Sequence, residues 1–305
     1  MKYSIALVSG LGNIVLSLAG FYHLLRHSEI DPRESSELFD WVDKPYENGY
    51  LFGGHPRKRP TTLDQIFPLI KFSPVQKSLK DHNINFSTYF CNDYYYADHF
   101  RRLIDLTKDR NTEWMVVISW FFHPDYRPSR HRSEIIEWLT FGEVVKNRVW
   151  SFFRECDLDP KTTISFHCRL GSPRDHIKLY VVEREEYLNG LEKIKKEYPE
   201  MSTVLVCSES RERFEKYITR EDFDILGLKY VFYDEDPENC LYAMKECAHH
   251  IVSNSTLSYS VLYLDEKFPQ RSLAYGSNFD YANITFVSPD FISRDNKTGL
   301  VIKSV

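Results

Sequence analysis

Between residues 163 and 253, short apolar runs rich in β-branched and aromatic residues alternate with stretches of helical periodicity. TISFH (163–167), STVLVC (202–207), KYVFY (229–233) and HIVS (250–253) read as strands, and EREEYLNGLEKIKKEY (183–198), 211–217 and 238–247 as helices. Strands joined by helical crossovers run parallel, and a parallel sheet must have both faces covered. The same alternation is visible upstream. Residues 3–8 are β-rich, SGLGN is a turn, 14–26 has helical spacing, and WMVVISW (114–120) is a continuous apolar run, hence a buried strand. Between them, 31–60 reads as loop with one helical turn, 63–72 and 84–89 as short α/β elements, and 99–108 as a helix. An amphipathic helix is expected over 133–156. The polar, proline-containing DLDPKT (157–162) then separates two Rossmann-like domains, 1–157 and 158–305, which suits a chain of 305 residues.

Composition narrows the function. Lys and Arg number 39 against 44 Asp and Glu, a net charge of -5, so the basic excess of a phosphate-backbone binder is absent and no nucleic-acid partner is expected. The 6 cysteines are scattered with no CxxC pair, as in reduced thiols, and predict a cytoplasmic protein, in the host cytoplasm if the source is viral. On that reading the N-x-S/T sequons at Asn85, Asn254, Asn283 and Asn296 arise by chance. Residues 4–25 are apolar but interrupted by Ser9, Gly10, Gly12, Asn13 and Ser17, too polar for a transmembrane segment and better read as strand, turn and helix than as a signal peptide.

Three segments bear chemistry. The glycine-rich turn fits half of a dinucleotide fingerprint, with Gly10 and Gly12 in place but Val15 at the sixth position, which argues against a nicotinamide or flavin enzyme. HCRLGSPRDH (167–176) follows a strand, and Arg169 and Arg174 beside Gly171 and Ser172 suit a diphosphate; a solvated basic loop is the plainer alternative. SNSTLSYS (253–260) joins a strand to an apolar run, as a helix N-cap, an anion site or both. Asp234 and Asp236 have DxD spacing for a hard cation, though an acidic connection explains them more simply. Cys240, Cys247, His249 and His250 read as core residues rather than zinc ligands. GxSxG, HExxH and Walker sequences are absent.

In order along the chain, SGLGN, WFFHPDYR (120–127), HxRxG at 167–171, VCSES (206–210) and CAHHIVSNSTLS (247–258) resemble the motifs of the alpha-1,2-fucosyltransferases of glycosyltransferase family 11. Those motifs read GGLGNQ, GYFQSEKYF, HxRRGDY, FSDD and HHIxxNSSFSWW. The resemblance spans nearly the whole chain. It implies a GT-B fold of two Rossmann-like domains with a donor in the cleft, and inverting transfer of fucose from GDP-fucose to a glycan hydroxyl without a required metal or other cofactor. The N-terminal domain would be the acceptor side and the C-terminal one the nucleotide-sugar side. Donor-binding residues are expected at Gly10, Gly12, Asn13, Arg169, Ser208, Glu209, Asn254, Ser255, Thr256 and Ser258, and catalytic residues at Arg169, Asp175 and His167.

The departures fall on the sugar side. Leu170 stands where the family has its second Arg, Ser172 where it has the acid, and Glu209 and Ser210 where it has two aspartates; Leu257, Tyr259 and Ser260 replace aromatic positions. Asp175, from a longer loop, is the expected general base, with His167 second or else orienting Arg169. The losses leave room for another GDP-sugar, or for a non-catalytic protein that binds a nucleotide-sugar or glycan on the same fold.

Overall fold

The computed structural model describes residues 2–7, 10–35, 38–40, 62–70, 72–74, 86–91, 114–119, 131–170, 182–253, 255–267, 274–276, 293–295 and 299–302. The expected helix at 99–108, the stretch 120–127 and the loop 171–176 lie outside them. Chain contacts divide the protein into two units, Met1–Glu143 and Val144–Val305.

The first unit opens with strand β1 (Lys2–Leu7) and helix α1 (Leu11–His27). α1 is buried on nearly every side from Leu11 to Leu25, as its all-round apolar sequence requires. A short helix α2 (Pro32–Ser35) follows, and strand β2 (Leu38–Asp40) lies where the sequence read as loop; a three-residue strand has too short a pattern to register. Helix α3 (Leu63–Ile66), β3 (Phe72–Pro74), β4 (Phe86–Cys91) and β5 (Trp114–Ser119) complete a parallel sheet of order β3-β2-β1-β5-β4.

The single helix expected over 133–156 is two helices, α4 (Arg132–Trp138) and α5 (Glu143–Glu155). Gly142 explains the break. Its N–H donates to the Ile66 carbonyl at 2.8 Å, and a Cβ there would collide with the Gln65 carbonyl oxygen. Tertiary contact therefore overrides an unbroken helical pattern. α5 packs within the second unit, its Phe152 ring 4.3 Å from that of Tyr233 and its Arg148 paired with Glu235 at 3.2 Å.

After a 3-10 turn (Pro160–Thr162), the second unit runs β6 (Thr163–Cys168), α6 (Arg184–Glu197), β7 (Thr203–Ser208), α7 (Arg211–Tyr217), α8 (Arg220–Ile225), β8 (Lys229–Phe232), α9 (Pro237–Glu246), β9 (His249–Ile251) and α10 (Thr256–Leu264). β10 (Ala274–Gly276), β11 (Ser293–Asp295) and β12 (Gly299–Ile302) extend the sheet to the order β11-β12-β10-β9-β6-β7-β8. β10 to β8 are parallel and the last two strands antiparallel.

β6 is the pivot of this unit. Ile164, Phe166 and Cys168 enter a core with Val204, Val206, Tyr187, Phe214 and Phe223, whereas Ser165 and His167 alternate to the opposite face. That face is also buried, so two polar side chains are committed to the interior. Among the described residues no helix is long and apolar enough to cross a membrane.

Candidate functional site

In an open parallel sheet, ligands are met at the carboxyl ends of the strands, where backbone amides and loop side chains converge. The register of the second sheet aligns three such ends. Cys168 pairs with Ser208 across β6 and β7, and Phe166 with Ile251 across β6 and β9. His167 and Arg169, Ser208 and Glu209, and the turn from Ser253 into α10 thus come to one edge, although up to 91 residues separate partners such as His167 and Ser258. Asp175 and Asn254 lie outside the described residues.

The turn into α10 is held by its own hydroxyls. Ser255 is the N-cap, accepting the Leu257 N–H at 3.3 Å, and its own N–H donates to the Ser253 carbonyl at 2.8 Å. Ser258 points inward. Its Oγ accepts the Ser253 N–H at 3.1 Å and lies 2.7 Å from His167 Nδ1, while Ser253 Oγ lies 3.1 Å from the same nitrogen. Ser258 is fully buried. Its hydroxyl is engaged by His167 and Ser253. Thr256, half-buried, accepts Ser260 Oγ at its carbonyl at 2.8 Å.

Burial, and then the Arg169 guanidinium beside it, push His167 down to about 3. The imidazole is therefore neutral at any working pH. Where one of the two hydroxyls donates to Nδ1, the ring proton lies on Nε2. A nitrogen so reluctant to bind a proton is a weak general base. It is well suited to standing beside a cation without repelling it.

The turn from β7 into α7 grips the segment that carries Arg169. Glu209 Oε2 accepts the Leu170 N–H at 3.2 Å and Arg213 Nη2 donates to the Leu170 carbonyl at 2.7 Å, so both polar groups of that residue's backbone are held. Glu209 Oε1 is also 3.8 Å from Arg169 Nε. Residue 170, an arginine in the family motif, contributes here through its main chain. The clamp was missed in the sequence because Arg213 sits within an ordinary amphipathic helix, 43 residues from Leu170.

In the first unit, Gly10 is the N-cap of α1 with no side-chain cap, and Gly12 and Asn13 lie within the first turn. Gly12 is buried, Asn13 half-buried and Gly10 exposed. Asp236 is the N-cap of α9, and Cys240 and Cys247 are buried at that helix and its C-cap. Among the described residues no three His, Cys, Asp or Glu side chains group as metal ligands would.

No curated protein matches the chain. Solved structures do. POFUT1 in complex with GDP-fucose superposes with a TM-score of 0.55 at 12% identity, over 90% of this chain and 97% of that one. A FUT1 mutant of Arabidopsis thaliana in complex with GDP gives 0.57 at 12%, over 99% and 74%, and the fucosyltransferase NodZ from Bradyrhizobium 0.52 at 12%, over 85% and 91%. At such identity the likeness shows the fold, which is the two-unit α/β arrangement of GT-B enzymes. The sequence supplies the family: the model of glycosyl transferase family 11 matches residues 52–268, more than two thirds of the length. With that match over most of its length, this chain belongs to glycosyl transferase family 11.

Proposed function

We propose that the protein is an inverting fucosyltransferase that moves fucose from GDP-fucose to a glycan hydroxyl, with the diphosphate held at the carboxyl edge of the second sheet. One observation supports this above others: Arg169 stands at the end of β6, beside a neutral, hydroxyl-locked His167 and on a clamped backbone. Sugar transfer passes through an oxocarbenium-like state while negative charge builds on the departing nucleotide. A preset guanidinium stabilises that charge more than it stabilises the bound substrate. Ser255, Thr256 and the first amides of α10 supply further donors, consistent with the preference of helix N-termini for anions. His167 orients Arg169 in this reading, and Asp175 takes the acceptor's proton. Ser208 and Asn254 are further donor contacts in this reading.

Thermal shift and transfer assays test the reading together. GDP or GDP-fucose at about 100 times its dissociation constant should stabilise the fold by roughly 2.7 kcal/mol, and UDP or dTDP counterparts should not. Radiolabelled fucose should reach a glycan acceptor from GDP-fucose at an unchanged rate in EDTA. Stabilisation by UDP alone would overturn the donor assignment. Loss in EDTA restored by Mn²⁺ would bring Asp234 and Asp236 into the mechanism. GDP binding with no turnover of any GDP-sugar would make the protein a binding module.

A further inference from the structure

A second buried polar chain runs beneath the site, on the same face of β6. Ser165 is two residues before His167 and pairs across the sheet with His250 of β9. Ser165 Oγ lies 2.7 Å from His250 Nδ1, and His250 Nε2 lies 3.0 Å from Asp265 Oδ2 at the C-cap of α10. Asp265 Oδ1 accepts the Lys267 N–H at 3.0 Å and is 3.4 Å from Lys267 Nζ. That ammonium also donates to the carbonyls of Lys245, Glu246 and Cys247 at 2.8–3.0 Å, at the C-terminal end of α9. The order Ser, His, Asp is that of a hydrolytic triad, but Ser165, His250 and Asp265 are 1%, 0% and 1% exposed, so no substrate reaches them.

Its placement suggests another use. Ser258 and Asp265 are seven residues apart, about two turns or ~10 Å along α10, and so lie on one face of that helix. β6 presents Ser165 and His167 ~7 Å apart on one face of the strand. Two polar ties therefore join the same strand to the same helix: His167 to Ser258 near its start, and Ser165 through His250 to Asp265 at its end. Apolar packing tolerates sliding, whereas a satisfied buried hydrogen-bond chain is directional and fixes one register. A slip of α10 along β6 would draw Ser258 and Ser253 from His167 and release the residue that stands next to Arg169.

We propose that His250, with Ser165 and Asp265, is a positioning residue of the donor site, setting the seat of α10 on β6 and through it the orientation of His167 and Arg169. The proposal rests on the transferase reading above and deepens it. The test is a double-mutant cycle of Ser165→Ala with Ser258→Ala, read in transfer kinetics, thermal midpoint and the imidazole ¹⁵N resonances of His167. Ser165→Ala deletes one oxygen and is the mildest break; His250→Asn, which can reach only one of the two partners, is the stronger one.

Expected are a fall in kcat of about 10- to 100-fold for Ser165→Ala, a displaced His167 resonance, and restoration of both by Ser165→Thr. Ser165→Ala should cost far less kcat when Ser258→Ala is already present, while the two shifts in midpoint add. Multiplying losses in kcat, or a lowered midpoint with normal kcat and an unmoved His167 resonance, would overturn the proposal. The resonance is independent of turnover. If the wild-type protein transfers no sugar yet Ser165→Ala moves the His167 signal, the transferase reading fails and the positioning inference stands.

Discussion

Two strand-to-helix turns were read from the sequence as places where a ligand approaches the backbone, and they are built in opposite ways. The turn from β1 into α1 is made by Gly10, whose carbonyl accepts the Ile14 N–H at 3.1 Å and which offers no side-chain cap. The turn from β9 into α10 is made by hydroxyls: Ser255 caps the helix while Ser253 and Ser258 close on His167. Gly10 adopts φ -72 and ψ 165, ordinary extended backbone, and a Cβ there would meet nothing within 4 Å. Folding therefore does not explain that glycine, whereas it fully explains Ser258. The hydroxyl-rich turn is wired to the protein's interior, whereas Gly10 caps its helix through the backbone alone.

The largest expected consequence of that wiring is in acid. His167 is neutral in the folded chain down to about 3 and His249 down to about 4, both chiefly through burial, whereas an unfolded histidine takes its proton near 6.5. Below about pH 6.5 the unfolded state thus binds more protons than the folded one, and stability falls as pH falls, by up to about 1.4 kcal/mol per pH unit for each histidine. Above that pH neither contributes. Urea unfolding from pH 7 to pH 4 should show the slope, shallower by about one proton in His167→Asn. The Gly10 turn holds no titrating group, so Gly10→Ala should leave the slope unchanged. Equal slopes in wild type and His167→Asn would break the contrast.

Arg169 comes next. If its guanidinium meets the diphosphate mainly as charge develops, Arg169→Ala should lose on the order of a hundredfold in kcat/KM for transfer, with a smaller loss of GDP affinity. Arg169→Lys should recover only part, since an ammonium lacks the planar fork. Near-normal transfer by folded Arg169→Ala would remove the residue from the site. Smaller again is Ser258→Ala, which deprives His167 Nδ1 and the Ser253 N–H of a partner. It should lower stability by about 1–2 kcal/mol, measured by urea unfolding at pH 7. No loss would mean that Ser253 alone suffices.

How much of this could be read in the sequence follows from the range of each interaction. Most strands and helices from 163 to 253 were legible because each has its own period; α7 begins and ends where the pattern predicts, at Arg211 and Tyr217, whereas the six-residue α8 is too short to register. The break at Gly142 was not, because its cause is the Gln65–Ile66 backbone far upstream. Strands β10 to β12 are three or four residues long and carry no periodicity to read. At the site, HxRxG and NST marked two segments that follow strands, and the register brings His167, Arg169, Ser253 and Ser255 to one edge of the sheet. What the motifs could not convey is direction: Ser255 and Ser258 look alike in the string SNSTLS, yet one caps a helix and the other faces the core. Glu209 is expected among the donor ligands because the family has an acid there; in the fold it also reaches Leu170 and Arg169, which the motif does not announce.

Gly10→Ala is the smallest perturbation and bears most directly on the glycine turn. The backbone conformation is open to alanine and the added methyl has room, so the only folding penalty is a poorer N-cap, at most about 1 kcal/mol. Ser255→Ala should cost about the same at α10, since it too removes only a cap. The two substitutions are thus matched in stability and differ in what they remove: one deletes a donor, the other fills the space above a backbone. If the donor approaches the main chain at Gly10, the methyl blocks it, and KM for GDP-fucose should rise while the thermal midpoint of the ligand-free protein barely moves. Steady-state kinetics beside a melting curve decide this. An unchanged KM in a stable Gly10→Ala protein would mean that the first turn of α1 takes no part in donor binding.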